Sequence, residues 1–206
     1  MKKPQIFLAI AGLLMLHACK RETDEPSALP DYYQLKKGNY WVYQVQEITD
    51  DKTITTRSGT DSVFIEKDTV INKNTYYKIV SKNWTGIGLQ FAFYRDSIGY
   101  LVDQAGRVTF STVNSKDTLY AYNIQDIARI GYKMDAGDSV VSVPAGSFGC
   151  LFCRCSITPL QTSPGLQANT QGDFRAAGIG IISSSAVALG INLRIRKNLI
   201  RYHVVQ

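Results

Sequence analysis

The chain has 206 residues, 23 of them Lys or Arg against 17 Asp or Glu, for a formal charge of +6. That excess is mild and scattered, which excludes the clustered basic stripe interleaved with aromatics that nucleic-acid binding demands. The longest apolar run at the amino terminus covers eleven residues, Ile6 to Leu16, short of the about 18–20 that a membrane-spanning helix needs.

This run follows Lys2 and Lys3, so it has the charge and length of an export signal rather than of a retained anchor. It ends in Leu16-His17-Ala18-Cys19, which resembles the lipobox of bacterial lipoproteins, with His17 where a small residue is usual. The resemblance implies cleavage after residue 18, diacylglycerol on the Cys19 thiol and an acyl chain on the freed amine. One chain anchors a protein only marginally at about 0.8 kcal/mol per buried methylene, whereas several hold it stably on the membrane lipid. Removing residues 1–18 leaves 188 of the 206 residues, enough for a single domain. Losing Lys2 and Lys3 lowers the charge to about +4, since 21 basic side chains then face 17 acidic ones.

Residues 20–31, KRETDEPSALPD, are charged and proline-containing, with too little apolar surface to fold, so residues 19–31 read as the lipidated Cys and a flexible tether. Fully extended, twelve residues reach at most about 40 Å. Lys20 stands where an Asp would signal retention in the inner membrane, which points to the outer membrane of a Gram-negative cell. Glu22, Asp24 and Glu25 resemble a surface-export tag, so the domain is expected on the periplasmic side or exposed at the surface.

Residues 32–206 read as one β domain. Trp41, Tyr43 and Val45 share one strand face, opposite Gln44 and Gln46. Val63 and Ile65, Tyr77 and Ile79, then Leu89, Phe91 and Phe93 continue the alternation. Ile98, Tyr100 and Val102 precede a turn at Gln104-Ala105-Gly106, followed by Val108 and Phe110. Ile124, Ile127 and Ile130 are spaced for a short helix over 123–130, or lie in a loop. Val140–Val143 and Phe148–Thr158 are strands. The polar stretch 161–172 reads as a loop, and Leu193, Ile195, Ile200, Tyr202 and Val204 close the chain. Short strands rich in β-branched and aromatic residues, punctuated by Gly, Asn and Asp, form antiparallel hairpins. The expected fold is all-β: a single antiparallel, strongly curved sheet or half-open barrel of about 10–12 strands with at most one short helix.

Four segments in order carry a further resemblance: YQLKKGNYWVY (Tyr33 to Tyr43), VPAGSFGC (Val143 to Cys150), RAAGIGII (Arg175 to Ile182) and Leu199 to Tyr202. Together they look like a family of uncharacterised secreted lipoproteins from Gram-negative bacteria. Arg175 and Ala177 stand where that family places an aromatic and a proline. The resemblance implies a curved sheet, half closed around an apolar groove like the periplasmic lipoprotein carriers, and it brings no catalytic residues.

Candidate chemistry is sparse. Cys150, Cys153 and Cys155 read as buried free thiols in preference to a disulfide across a bulge or a zinc site, since strand spacing sets residues two or three apart at roughly 6.5–10 Å. His203 shares a face with Arg201 and reads as structural. No nucleophile elbow, zinc helix or phosphate loop is present. No cofactor, metal or catalytic residue is therefore assigned, and Cys19 is the single site residue. The expectation is a non-enzymatic binding domain for an apolar ligand or an envelope protein. The alternatives are a structural or assembly component of an envelope complex, and a hydrolase whose site the sequence does not reveal. Replacing Cys19 with Ser is expected to release a soluble, still folded domain that takes up no labelled palmitate. Fractionation checks this, and persistent membrane association of the variant would overturn the anchor.

Overall fold

The computed structural model describes residues 29–82, 88–161, 167–188 and 193–205. The export signal, Cys19 and the tether up to residue 28 lie outside them. Thirteen strands follow one another: β1 (Tyr40–Ile48), β2 (Ile54–Ile71), β3 (Asn74–Lys82), β4 (Leu89–Asp96), β5 (Tyr100–Asp103), β6 (Val108–Ser111), β7 (Thr118–Ile124), β8 (Ala128–Met134), β9 (Ser139–Val143), β10 (Gly146–Pro159), β11 (Asn169–Ala176), β12 (Gly180–Ala188) and β13 (Leu193–His203). No helix occurs among the described residues.

All ladders are antiparallel, in the order β6-β5-β4-β3-β2-β1-β13-β12-β11-β10-β8-β7, with β9 on β10 outside that path. The first and last strands pair from Tyr40↔His203 to Ile48↔Arg194. A meander closed at its chain ends in this way is nearly a barrel, and its open seam falls at mid-chain between β6 and β7. Side chains bridge the region of the seam. The Ser111 N–H donates to Met134 Sδ at 3.4 Å and the Cys153 thiol to the Thr109 carbonyl at 3.2 Å. The Arg107 guanidinium lies 5.9 Å from the Tyr120 ring centre.

Period-two alternation sets which side chains fill the barrel. Trp41, Tyr43, Val63, Ile65, Tyr77, Ile79 and Leu199 face inward, as the sequence indicates. β4 reverses the expectation. Its register puts Gln90 and Ala92 beside Ser81 and Ile79 on the inner face, so Leu89, Phe91 and Phe93 point outward. Leu89 and Phe91 are exposed. Alternation shows that two faces differ; it does not show which one is buried when both carry apolar groups.

The expected helix at 123–130 is a hairpin: β7 ends at Ile124, whose carbonyl accepts the Ile127 N–H at 2.9 Å, and Ile130 lies inside β8. Its isoleucines are three apart because a tight turn separates them. Ile98 also belongs to a turn rather than a strand, with φ of 53° and its side chain exposed. The stretch read as a loop over 161–172 already runs as strand from Asn169, and residues 162–166 lie outside the described part.

One end of the barrel is plugged by the segment leading into β1. Asp31 accepts the N–H groups of Tyr33 and Gln34 at 2.7 and 2.8 Å, and its carbonyl takes the Gly178 N–H at 2.8 Å. The Tyr33 hydroxyl donates to the Gly99 carbonyl at 2.6 Å, and its ring meets Phe110 edge-on at 5.9 Å. Burial pushes the Tyr33 phenol up to about 12, so it stays a neutral donor.

Two glycines are there for close approach. Gly180, at φ +98°, sits under the Trp41 ring, where an added Cβ would be 3.2 Å from a ring carbon. At Gly172 a Cβ would fall 2.0 Å from the Cys153 carbonyl oxygen of the neighbouring strand. Backbone cannot retreat there without breaking the β10–β11 ladder. Gly172→Ala is expected to cost about 2–3 kcal/mol of unfolding free energy. Denaturant titration checks this, and a change within about 0.5 kcal/mol would refute the close approach.

Candidate functional site in the barrel lumen

The interior is packed at the plugged end and hollow further along. Tyr33, Trp41, Phe110, Met134 and Leu199 belong to the packed part. Above them lies a cavity of about 390 Å³, walled by Tyr43, Val63, Ile79, Ala92 and Ile181, with Ser81, Gln90 and Ser184 among its polar groups. A second cavity of about 210 Å³ lies toward β8 and β10, reaching Tyr132, Cys153 and Cys155. Tyr94, Asp173 and Arg175 line both. On the β8 side the lumen wall continues as a small apolar cluster of Ala128, Ile130, Cys155 and Ile157. A groove of about 520 Å³ on the other side of the wall runs past the stacked Phe152 and Phe174 rings, 4.3 Å apart, and past Arg194 and Arg196.

The tools that place the lumen's charged groups are β-pairings. Asp61 sits opposite Tyr43 and two residues from Val63 in β2, and Lys197 sits between Ile195 and Leu199 in β13; the two side chains form an ion pair inside the barrel. Asp61 is 4% exposed, and its Oδ1 has no hydrogen-bond partner. Asp173 and Arg175 are two apart on β11, next to a bulge that sets Ile182 out of register. The Arg175 guanidinium lies 5.2 Å from the Phe110 ring centre and 4.0 Å from Asp173 Oδ2. Its Nε is buried without a partner.

Burial raises the Asp173 carboxyl above its ordinary range, outweighing Arg175 and Lys197, which pull it down. The side chain still has 40% of its surface exposed, and that part faces the two cavities it lines. Tyr43, Tyr94 and Tyr132 are likewise raised, desolvation being the largest cause in each. Tyr43 donates to the Ile181 carbonyl at 3.0 Å, which fixes one wall of the cavity.

The cysteines fall where expected as to burial: Cys150, Cys153 and Cys155 are free and buried. Burial lifts the Cys150 and Cys153 thiols to about 11 and about 12, so neither is a ready nucleophile. Among the described residues no group of His, Cys, Asp and Glu is arranged to hold a metal ion. His203 stacks on Tyr40 with ring centres 5.6 Å apart, away from the lumen. Cys19 lies outside the described residues. The lumen charges were missed by sequence reasoning, although a signal exists: Asp61 and Lys197 each occupy the apolar parity of their strand.

No family model matches the chain, and no curated protein matches it. Among solved structures, a protein of Bacteroides fragilis NCTC 9343, described as exported and of YmcC-like fold, superposes with a TM-score of 0.52 at 13% identity, over 84% of this chain and 99% of that one. The two share a fold. A protein of Parabacteroides distasonis ATCC 8503, described as a lipoprotein, aligns with a TM-score of 0.49 at 10% identity, over 84% and 99% of the two chains.

A carboxyl whose pKa is raised by folding stabilises the native state while protonated, and that contribution is lost as pH climbs through the folded value. Asp173→Asn is therefore expected to raise the melting temperature at about pH 7 and leave it nearly unchanged at about pH 3, below the ordinary carboxylate pKa of about 3.9. Thermal melts at the two pH values check this; a variant less stable at neutral pH would mean that the attraction to Arg175 outweighs burial.

Proposed function

We propose that this protein is a cell-envelope lipoprotein, held on the outer membrane of a Gram-negative bacterium by acyl chains on Cys19, whose barrel takes a small, largely apolar ligand into its lumen without transforming it. The observation that carries the reading is the cavity of about 390 Å³, apolar along Tyr43, Val63, Ile79, Ala92 and Ile181 and polar along Ser81, Gln90, Ser184 and the charged Asp173, Arg175 and Lys197. Small-molecule pockets fall mostly between about 300 and 1,000 Å³, with apolar walls and few polar groups. A domain that served only as a scaffold would gain stability by filling this space.

The envelope location draws on the lipobox at Cys19, the polar tether and the ordered lipoprotein-like motifs. A fold neighbour described as exported adds to it. The plugged end is the end where the segment leading into β1 lies, beside the turns at Gly99 and Gly178. Antiparallel alternation puts the last residues of β1, β3 and β12 at the other end. A ligand would thus approach from the side away from that segment.

A binding role is favoured over hydrolysis by how the acids are held. Asp61 is taken up by Lys197, so among the described residues that line the lumen Asp173 has no second unpaired carboxyl to divide acid and base work. The reading is tested with an uncharged fluorescent probe such as phenylnaphthylamine. The mature chain is expected to bind it, and Ala92→Trp, which fills the cavity from β4, to weaken binding by about tenfold or more. Circular dichroism controls for folding. A folded Ala92→Trp variant that binds as well as the native chain would remove the lumen as the site.

A further inference from the structure

The charges of the lumen are unequally served. Lys197 has Asp61 as its ion-pair partner. Arg175 has none at hydrogen-bond distance: its side chain is 10% exposed, the nearest carboxylate oxygen is 4.0 Å away, and Nε meets no acceptor. That oxygen belongs to Asp173 and lies beyond hydrogen-bond reach. What stacks on the guanidinium is the Phe110 ring, which supports a cation through its π face and supplies no acceptor. A nine-tenths buried guanidinium is thus left with donors unused.

A planar guanidinium fork is matched best by a carboxylate or phosphate. Asp173 beside it argues for a head of single negative charge, since a doubly charged one would be repelled more strongly. Arg175 borders both cavities, and the apolar wall of Val63, Ile79, Ala92 and Ile181 begins beside it. We infer that Arg175 anchors the carboxylate head of an amphiphilic ligand, a long-chain monocarboxylate, whose aliphatic tail lies along that wall. This rests on the lumen reading and adds to it the ligand's head group and the residue that selects it.

The test compares dodecanoate with dodecanol, which has the same tail and no charge, as competitors for the bound phenylnaphthylamine. The protein is the mature chain carrying Cys19→Ser, exported behind an ordinary cleavable signal. Dodecanoate is expected to compete about tenfold better than dodecanol or more. Arg175→Met should bring dodecanoate to the level of dodecanol while leaving dodecanol unchanged, which also shows that the variant folds. Asp173→Asn should tighten dodecanoate binding by removing the neighbouring acid. Equal competition by the two ligands in the native chain overturns the carboxylate head and leaves lumen binding standing. Failure of both to compete, or of the probe to bind, overturns both readings. A preference that survives Arg175→Met overturns the assignment of the anchor. Should that variant not fold, an Asp173→Asn chain with no gain for dodecanoate overturns it.

Discussion

The structure depends on the pairing of its first strand with its last. β1 and β13 lie about 150 residues apart in sequence, as the hydrogen bond from Asn198 to Gln46 shows with its separation of 152, yet they form one of the longest ladders in the sheet. Every other neighbouring pair on the main path is closed by a short or moderate connection, so this ladder alone turns a ribbon into a near-barrel. Closing so large a loop adds an entropic cost that grows only slowly with length, but it makes the fold rich in non-local contacts and correspondingly slow to form. It also protects both chain ends from being sheet edges. The exposed edges move to mid-chain, where β6 has four residues, and a short edge strand offers little template for pairing with another molecule.

The start of β1 secures the closure. Asn39 is fully buried and works in two directions: its Nδ2–H donates to the Gln34 carbonyl at 2.7 Å, and its Oδ1 accepts the Val205 N–H at 2.7 Å. One amide thus ties the plug segment to the last residues of the chain. Two residues on, Trp41 donates to the Ile179 carbonyl at 2.6 Å while its ring covers Gly180. The motif around Gly38-Asn39-Tyr40-Trp41 and the motif around Gly178-Ile179-Gly180, far apart in sequence, are two halves of one contact. That contact fills one end of the barrel and leaves the space above it hollow.

Most of this architecture is legible in the residues because period-two alternation is a direct consequence of strand geometry. The inward set Trp41, Tyr43, Val63, Ile65 and Ile79 could be read for that reason. β4 could not, since its outward Phe91 and Phe93 pack on each other at 5.8 Å and under Lys78, giving the solvent side an apolar look. The 123–130 hairpin was ambiguous because a turn and a helix both place isoleucines three apart. The candidate site was the least legible part. Its residues come from seven strands, and only the β1–β13, β12–β13 and β11–β12 registers bring Tyr43, Lys197, Ser184 and Asp173 onto one wall. What the sequence does hold is the anomaly: Asp61 beside Val63 and Ile65, and Lys197 between Ile195 and Leu199, are charges on a face otherwise given to burial.

Such charges are poor devices for stability. Taking an ion pair out of water costs several kcal/mol per ion before any attraction is counted, and an apolar pair of similar volume is often as good or better. Asp61 and Lys197 at least meet. Asp173 and Arg175 stand 4.0 Å apart, with a carboxyl whose pKa burial raises and a guanidinium nitrogen that no acceptor reaches. For a barrel that needed only to fold, a Val or Leu at each position would pack the same walls and fill part of the same cavity. The arrangement makes physical sense if the missing acceptor comes from outside the chain, entering a lumen whose walls suit a hydrocarbon and whose middle carries an underused cation. The cavity and the unsatisfied guanidinium are then not two oddities of the interior but two halves of one complementarity, the first fitting a tail and the second a head.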